Sequence, residues 1–518
     1  MPALMIVRMI VYPPSDRFDR HLRGQGPQPA RGSVPGVVAG CFGTLPPVRV
    51  KGSQVDLSLF IFRSSVRILQ TRFLCVLVNG AGALSWRALS WHDAPFSCTG
   101  VAVPMTLNVR FFLTVFLPFA LGYYLSYFYR VVNGVIAEPM VLELGLTPGT
   151  LGWIGSAYFL FFAAAQLPLG VLLDRYDTRN VAAGILLIAV LGAVLFAVAE
   201  TPFLLWLGRG LVGLGVSACL MAAFRAYVAT LQRHQLPLVN GLQLAAGGLG
   251  AMTATVPVEW LLPVTGWRGL FLGLAVLTLA VALLVRLRVP PILQRSDNPT
   301  PLAEQIRSSL RVFVDPRFLR VAPASVMNQA ILIAWLGLWA AVWMREVDGL
   351  SAAHTADLLL ITALGMTVGY MTLGALATWL QQFGISTTRV AITTAALFSV
   401  LMLALVFQWP LPRTLLWLAL GYTGSAGSLM YAGLTQQFPH ELAGRVNTAL
   451  NLAMFVTIFL LQWLLGVVIG LWPAQPDGSY PILAYQVSFG LCAAAQILAL
   501  LWFWWRTPRP EQAQSAAD

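Results

Sequence analysis

Apolar residues run along this chain in long blocks of roughly 18–25, broken by short stretches of Pro, Gly or charge. A block of that length, coiled as a helix, crosses a hydrocarbon layer about 30 Å thick. The blocks fall at 111–136, 150–173, 181–199, 203–228, 238–262 and 267–288, then at 321–344, 354–380, 388–408, 412–435, 444–471 and 481–505. In lipid each backbone N–H and C=O needs a partner within its own segment, so the pattern predicts helices. Strands of a membrane barrel would instead alternate weakly over about ten residues. The expected fold class is all-α and polytopic, with twelve transmembrane helices.

Composition supports that reading. Of 518 residues, 58% are hydrophobic and only 10% are charged. A soluble domain carries about 25% charge, so a water-exposed surface for this chain could not be built. The five Cys show no paired spacing, which argues against a disulfide scaffold or a zinc module. Neither a metal nor a cofactor is expected. The net charge is +12, of which residues 1–104 hold +7. That basic balance reflects membrane placement rather than nucleic-acid binding, and the lipid bilayer and a small solute are the expected partners.

Residues 1–104 read differently from the rest. Their best apolar run, Phe73 to Trp86, is short and contains Asn79. Arg63, Arg67 and Arg72 crowd it, which argues against a signal peptide. The segment is expected to be a disordered basic extension, or the product of a start assigned too far upstream, since Met105 followed by Thr106–Arg110 has the look of a natural start. The remaining expected boundaries are a six-helix bundle at 105–288, a linker at 289–320, a second bundle at 321–506 and a tail at 507–518.

Arginine placement sets the expected orientation. Of the 21 Arg after residue 104, fifteen fall at one set of loops and helix ends, three (Arg268, Arg345 and Arg413) at the other, and Arg130, Arg209 and Arg225 within blocks. Positive residues gather on the cytoplasmic side, so both termini and the linker are expected there. The two halves also repeat. Residues 204–217, LLWLGRGLVGLGVS, match 415–428, LLWLALGYTGSAGS, at seven positions, Trp206/Trp417 and Gly213/Gly424 among them. Asn240 and Asn447 sit similarly at the starts of the fifth and eleventh blocks. Repeated halves are typical of secondary transporters, whose site lies between them near the midplane.

Two motifs carry a resemblance. After the second block the chain reads Gly170-Val-Leu-Leu-Asp174-Arg175-Tyr-Asp-Thr-Arg179, and the fourth block holds Arg209-Gly-Leu-Val-Gly213-Leu-Gly215. With Gly266-Trp267-Arg268, they resemble signatures of the major facilitator superfamily over residues 108–506. The resemblance implies alternating access of a central cavity without ATP hydrolysis, and no phosphate-binding loop is present. It implies a gating charge cluster around Asp174, Arg175 and Arg179, against which stands simple charge anchoring. Glycines at 213 and 215 would let a neighbouring helix approach closely. A costly intramembrane Arg209 should face the interior.

Candidate ligand groups follow from spacing. Tyr123, Ser126, Tyr127, Arg130 and Asn133 share one face of the first helix. The pair Tyr127 and Arg130 is similar to one in the glycerol-3-phosphate and sugar-phosphate antiporter branch, where the Arg binds the substrate anion. Arg130 offers a planar, permanently charged donor; an inter-helix hydrogen bond is its alternative role. Arg225 would add a second positive group, but apart from Arg413 at the outer end of block ten, blocks seven and ten hold no basic residue, so a singly charged organic anion fits better than a phosphate dianion. Further candidates are Asn328, Gln329, Tyr422, Asn447 and Asn451, each either a ligand contact or helix glue. The stripe Trp335, Trp339 and Trp343 reads as lipid-facing or interfacial packing sooner than as a ligand box.

Proton coupling needs a titratable group, and Glu138 and Glu259, near outer helix ends, are the candidates; a rim salt bridge, for instance with Arg268, is the alternative. The leading expectation is a monomeric inner-membrane carrier taking up a small organic anion with protons. An exporter of amphipathic compounds and a non-transporting sensor on the same fold remain open. A membrane enzyme is not expected, because Asp-rich metal motifs and His clusters at helix ends are absent from the sequence.

Overall fold

A computed structural model of the chain describes residues 108–232, 234–292, 307, 310–476 and 478–506. The expectations for residues 1–104, for the linker between 293 and 306 and for the tail 507–518 lie outside the described residues. Among those described, helices and turns occur and no strand does.

The first half comprises α1 (Val109–Leu144), α2 (Pro148–Arg175), α3 (Thr178–Val198), α4 (Pro202–Thr230), α5 (Leu236–Thr253) and α6 (Val256–Arg288). The second comprises α7 (Pro316–Glu346), α8 (Ala352–Gln381), α9 (Thr387–Val406), a two-piece α10 (Arg413–Gly424 and Ala426–Thr435), α11 (His440–Ile469) and α12 (Ile482–Trp505). Among the described residues, nine helices are long and apolar enough to cross a membrane. A tenth, α2, bends by 47° ahead of Pro168, whose ring removes one helical hydrogen bond. The other two crossings are interrupted. In the fifth, α5 continues into residues 256–265 of α6, and the chain reverses at Gly266. Gly266 has φ +59°, a conformation open to glycine. In the tenth, α10 breaks at Ser425. Twelve crossings result, as the hydrophobic pattern predicts.

Helix starts are written in the sequence. Thr147, Thr201 and Ser351 each cap a helix through the side-chain oxygen, and Pro148 and Pro202 follow the first two caps. The repeated segments also break alike. Ser217 and Ser425 interrupt α4 and α10, and each hydroxyl donates to the carbonyl three residues earlier at 2.7 Å. Apolar stripes face outward at helical spacing: Leu187, Leu191, Val194 and Val198 on α3, and Leu272, Val276, Leu279 and Leu283 on α6, are exposed. Such surface would be costly in water and is at home in lipid.

The halves meet along α1 with α7, α2 with α11 and α5 with α8. Helices alternate in direction, so Arg110, Arg175, Arg288 and Arg317 lie at one end of the bundle, here the arginine-rich end, and Glu138, Arg345 and Asp348 at the other, here the Glu138 end. At the Glu138 end the halves touch backbone to backbone. A Cβ at Gly152 of α2 would lie 2.6 Å from the Gln462 carbonyl of α11, and one at Gly466 would run into the Pro148 carbonyl. Towards the arginine-rich end a cleft of about 300 Å³ separates Leu238–Ala245 of α5 from Thr367–Met371 of α8.

The tryptophan stripe of α7 corrects one expectation. Trp335, Trp339 and Trp343 are all buried inside the protein rather than facing lipid. A π-helical turn at Trp335–Trp339 shifts the helix phase there. Trp335 and Trp343 then stack on Phe489 of α12, with centroids 4.4 and 4.6 Å away. Trp339 donates Nε1–H to the Gln462 carbonyl of α11, within the second half, at 2.9 Å, and its ring lies 3.1 Å from where a Cβ at Gly152 of α2 would sit.

Candidate functional site

Between the halves lies a cavity of about 270 Å³. The α1 face read from the sequence forms one wall: Tyr123, Ser126, Tyr127 and Arg130 all line it. Gln329 of α7 and Asn451 of α11 line it from the second half, as does Ser428 of α10. The structure thus brings together five of the ten sequence-predicted ligand residues.

Arg130 is the only basic residue lining this cavity, and no Asp or Glu lines it among the described residues. Its side chain is 5% exposed. The guanidinium lies 4.6 Å from the Tyr127 ring centre, 5.0 Å from Phe162 and 5.2 Å from Phe455. Nε donates to the Tyr158 hydroxyl at 3.3 Å, and that hydroxyl donates to the Ser126 carbonyl at 3.0 Å. Arg130 forms no ion pair among the described residues. Rings cover its faces and Tyr158 holds one edge, so Nη1 and Nη2 remain to meet a ligand. A desolvated guanidinium edge of this kind matches a carboxylate in a bidentate pair.

Arg209 stands behind this site. It is fully buried, donates Nη2–H to the Tyr129 carbonyl and stacks 5.2 Å above the Tyr158 ring. Its motif glycines act as expected: a Cβ at Gly213 would strike the Tyr158 backbone of α2, and one at Gly215 would strike Ala189 of α3. The second motif therefore clamps α4 onto the helix that carries Tyr158.

The remaining predicted residues lie elsewhere. Arg225 is not in the cavity; its Nη1 pairs with Asp174 at 2.5 Å, within the first half. Proximity in the fold, not spacing along the chain, joins these two. Arg179 pairs with Asp177 at 3.0 Å, Asp177 accepts from the Ile292 amide, and Arg175 is exposed. Gly170 lies half-buried near the end of α2. The charge cluster of the first motif therefore ties α2, α3, α4 and the start of the linker.

Asn133 is buried one turn beyond Arg130 but does not line the cavity. Asn328 accepts from the Gly427 amide at 2.8 Å and joins α7 to the break in α10. Asn447 accepts from Thr435 at 2.7 Å, and its carbonyl accepts from Tyr431. Tyr422 accepts from Thr372 at 3.3 Å. These three serve as helix glue. Gln329 donates to the Tyr370 hydroxyl across α7 and α8.

At the Glu138 end, Glu138 of α1 pairs with Arg345 of α7, linking the halves. Glu259 is half-buried, and its carboxylate feels the charges of Arg345 and Glu138. Arg268 instead pairs with Glu143 at 3.0 Å and stacks on Trp267. A second cavity of about 570 Å³ opens here, with Glu138, Arg345 and Tyr485 in its wall.

Sequence reading missed Tyr158, Phe162, Phe455 and Tyr370. In a chain with 28 Phe and 13 Tyr, no single ring stands out. The available signal was Phe162 lying one helical turn from Tyr158 on α2, facing the same way as Gln166.

Twelve crossings in two repeated halves around a central cavity define a secondary membrane carrier. The sequence profile described as the Major Facilitator Superfamily matches residues 119–462, and the chain belongs to that family of transporters. It is not an enzyme. Among similar curated proteins, a gentisate transporter of Corynebacterium glutamicum is 26% identical over 371 residues, covering 65% of this chain and 78% of that protein. The multidrug resistance protein MdtL of Escherichia fergusonii is 28% identical over 373 residues, covering 68% and 85%. Among solved structures, the nucleoside transporter NupG aligns with a TM-score of 0.59 at 15% identity, covering 77% of this chain and 99% of that one. A bacterial homologue of the human lysosomal transporter Spinster, inward-facing and occupied, aligns at 0.59 and 16% identity, covering 76% and 96%.

Proposed function

We propose that this transporter carries a small organic anion, with Arg130 as the anion ligand, and that it takes the anion up together with protons. The observation that carries the reading is Arg130 itself. It is a buried guanidinium on the cavity wall with no acid paired to it among the described residues. A buried cation needs compensation, and an anionic substrate supplies it. The naming of one relative as a gentisate transporter is in keeping with this.

In this reading the arginine-rich end faces the cytoplasm of an inner membrane, by the positive-inside bias. The chain acts as a monomer. The Gly152 and Gly466 contacts and the Glu138–Arg345 pair hold the halves together at the Glu138 end, and a cleft lies between α5 and α8 at the other. Glu138, Arg345 and Glu259 form the proton-responsive rim, since protonation of a carboxylate would loosen the pairing between halves.

A second reading, export of amphipathic compounds, draws on the MdtL relative. The modest cavity and its single fixed charge favour the first. Uptake into proteoliposomes, wild type beside Arg130→Ala, with and without an inward proton gradient, tests both. Anion uptake lost in the variant supports the anion reading. Export of neutral or cationic compounds that is indifferent to Arg130 overturns it.

A further inference from the structure

The anion reading leaves open what the rest of the substrate is. The walls around Arg130 bear on that. Phe162 and Phe455 meet across the two halves with centroids 4.1 Å apart and planes tilted by 34°, and both lie within 5.2 Å of the guanidinium. Tyr123 and Tyr127 pack edge to face at 5.1 Å on the opposite flank. Tyr370 and Tyr431 complete a ring-lined chamber from the second half. An aliphatic anion needs only the charge and some apolar wall. Rings offer more to another ring, because their quadrupoles favour offset and edge contacts beyond the area buried.

Size narrows the choice further. At about 270 Å³ the chamber sits at the lower edge of ligand cavities, which run from about 300 to 1,000 Å³. It has room for one ring and a small substituent. One guanidinium and no cavity acid call for a single negative charge.

We propose that the substrate class is a one-ring aromatic monocarboxylate. Its carboxylate would sit on the Nη edge of Arg130, and its ring would rest against Phe455, Phe162 and the tyrosine flank. The proposal rests on the anion reading and goes beyond it in naming the ring. It also assigns Phe455 and Phe162 as specificity residues. Contributed from opposite halves, they would sense the ring only when the halves are together.

The test is competition binding to purified full-length protein in nanodiscs, using benzoate as probe. Competitors are cyclohexanecarboxylate (the saturated counterpart), propionate, 1-naphthoate and neutral benzamide. The expected result is benzoate binding about fivefold or more tighter than cyclohexanecarboxylate, with propionate, 1-naphthoate and benzamide weak. In Phe455→Leu the benzoate preference should shrink toward unity while Arg130-dependent anion binding persists. If the saturated or short acids bind as well as benzoate, and lose binding in Arg130→Ala, the aromatic class is overturned and the anion reading stands. If benzamide equals benzoate, or no carboxylate binds in an Arg130-dependent way, both fall. The wild-type panel decides the matter even where a variant fails to fold.

Discussion

Arg130 and Tyr158 form one unit across α1 and α2: the guanidinium donates Nε–H to the phenol at 3.3 Å, and the phenol donates its own O–H to the Ser126 carbonyl at 3.0 Å. Arg209 lies 5.2 Å over the same ring. The cavity arginine and the motif arginine are thus coupled through one tyrosine. That gives the second motif a task besides packing, since it holds the residue that aims Arg130.

Tyr158→Phe keeps the ring and removes the phenol. A hydrogen bond to a charged group contributes about 1.5–3 kcal/mol, but Arg130 can turn partly to other acceptors, so the low end applies. Apparent substrate affinity should fall about tenfold while the maximal transport rate stays near wild type. Concentration-dependent uptake in proteoliposomes separates the two. A falling maximal rate with unchanged affinity would place Tyr158 in the conformational change instead.

The rim pair makes a different prediction. Glu138 is half exposed to solvent, so its pairing with Arg345 is worth no more than about 1 kcal/mol. Glu138→Gln should therefore shift the balance toward opening at that end by about two- to fivefold. A cysteine placed at buried Ala137, in a background free of native Cys, would report it as faster labelling by a polar thiol reagent. Unchanged labelling would mean that the glycine contacts at Gly152 and Gly466 hold the halves without help from the charges.

Glycine positions divide sharply by what surrounds them. Gly213 lies against the Tyr158 backbone, whereas a Cβ at Gly184 on α3 would meet nothing within 4 Å. Gly213→Ala should cost about 1–3 kcal/mol by overpacking and lower the melting temperature. It should also weaken substrate binding, because α2 carries Tyr158. Gly184→Ala should leave both unchanged. Thermal unfolding of the two variants, monitored in the same detergent, checks the contrast.

Much of this was legible in the chain. Twelve crossings followed from apolar block length, whereas the breaks at Ser217 and Ser425 did not: the repeat aligns Ser217 with Ser428, three residues beyond the break in α10. The cavity-lining face of α1 followed from steps of three and four at Tyr123, Tyr127 and Arg130. What spacing could not supply was contact between distant segments. Arg225 meets Asp174 and Arg130 meets Phe455 only once helices pack. α7 is buried on nearly every face from Val321 to Met344, which a reading of one helix in isolation cannot show, and that is why the tryptophans lie inside. Amides illustrate the same limit. Asn328 and Asn447 read like Asn451 in sequence, yet only Asn451 reaches the cavity.

The loop after α7 carries a pH-dependent element outside the membrane helices. Asp348 has a side chain only 4% exposed and pairs with Arg413 at 3.1 Å. Burial raises its carboxyl above the usual value, and Arg413 offsets this only in part. The folded state therefore holds the Asp348 proton more tightly than the unfolded chain does. Its stabilising contribution is full below the unfolded pKa, about 3.9, and is lost as pH rises through the raised folded value. Asp348→Asn removes the titration, and any cost of leaving Arg413 without its partner is a constant offset across this range. The melting temperature of the wild type, taken relative to Asp348→Asn, should fall as pH increases from about 4 toward neutrality. A difference that stays flat, or that grows in favour of the wild type, would mean that Arg413 compensates the buried carboxylate in full.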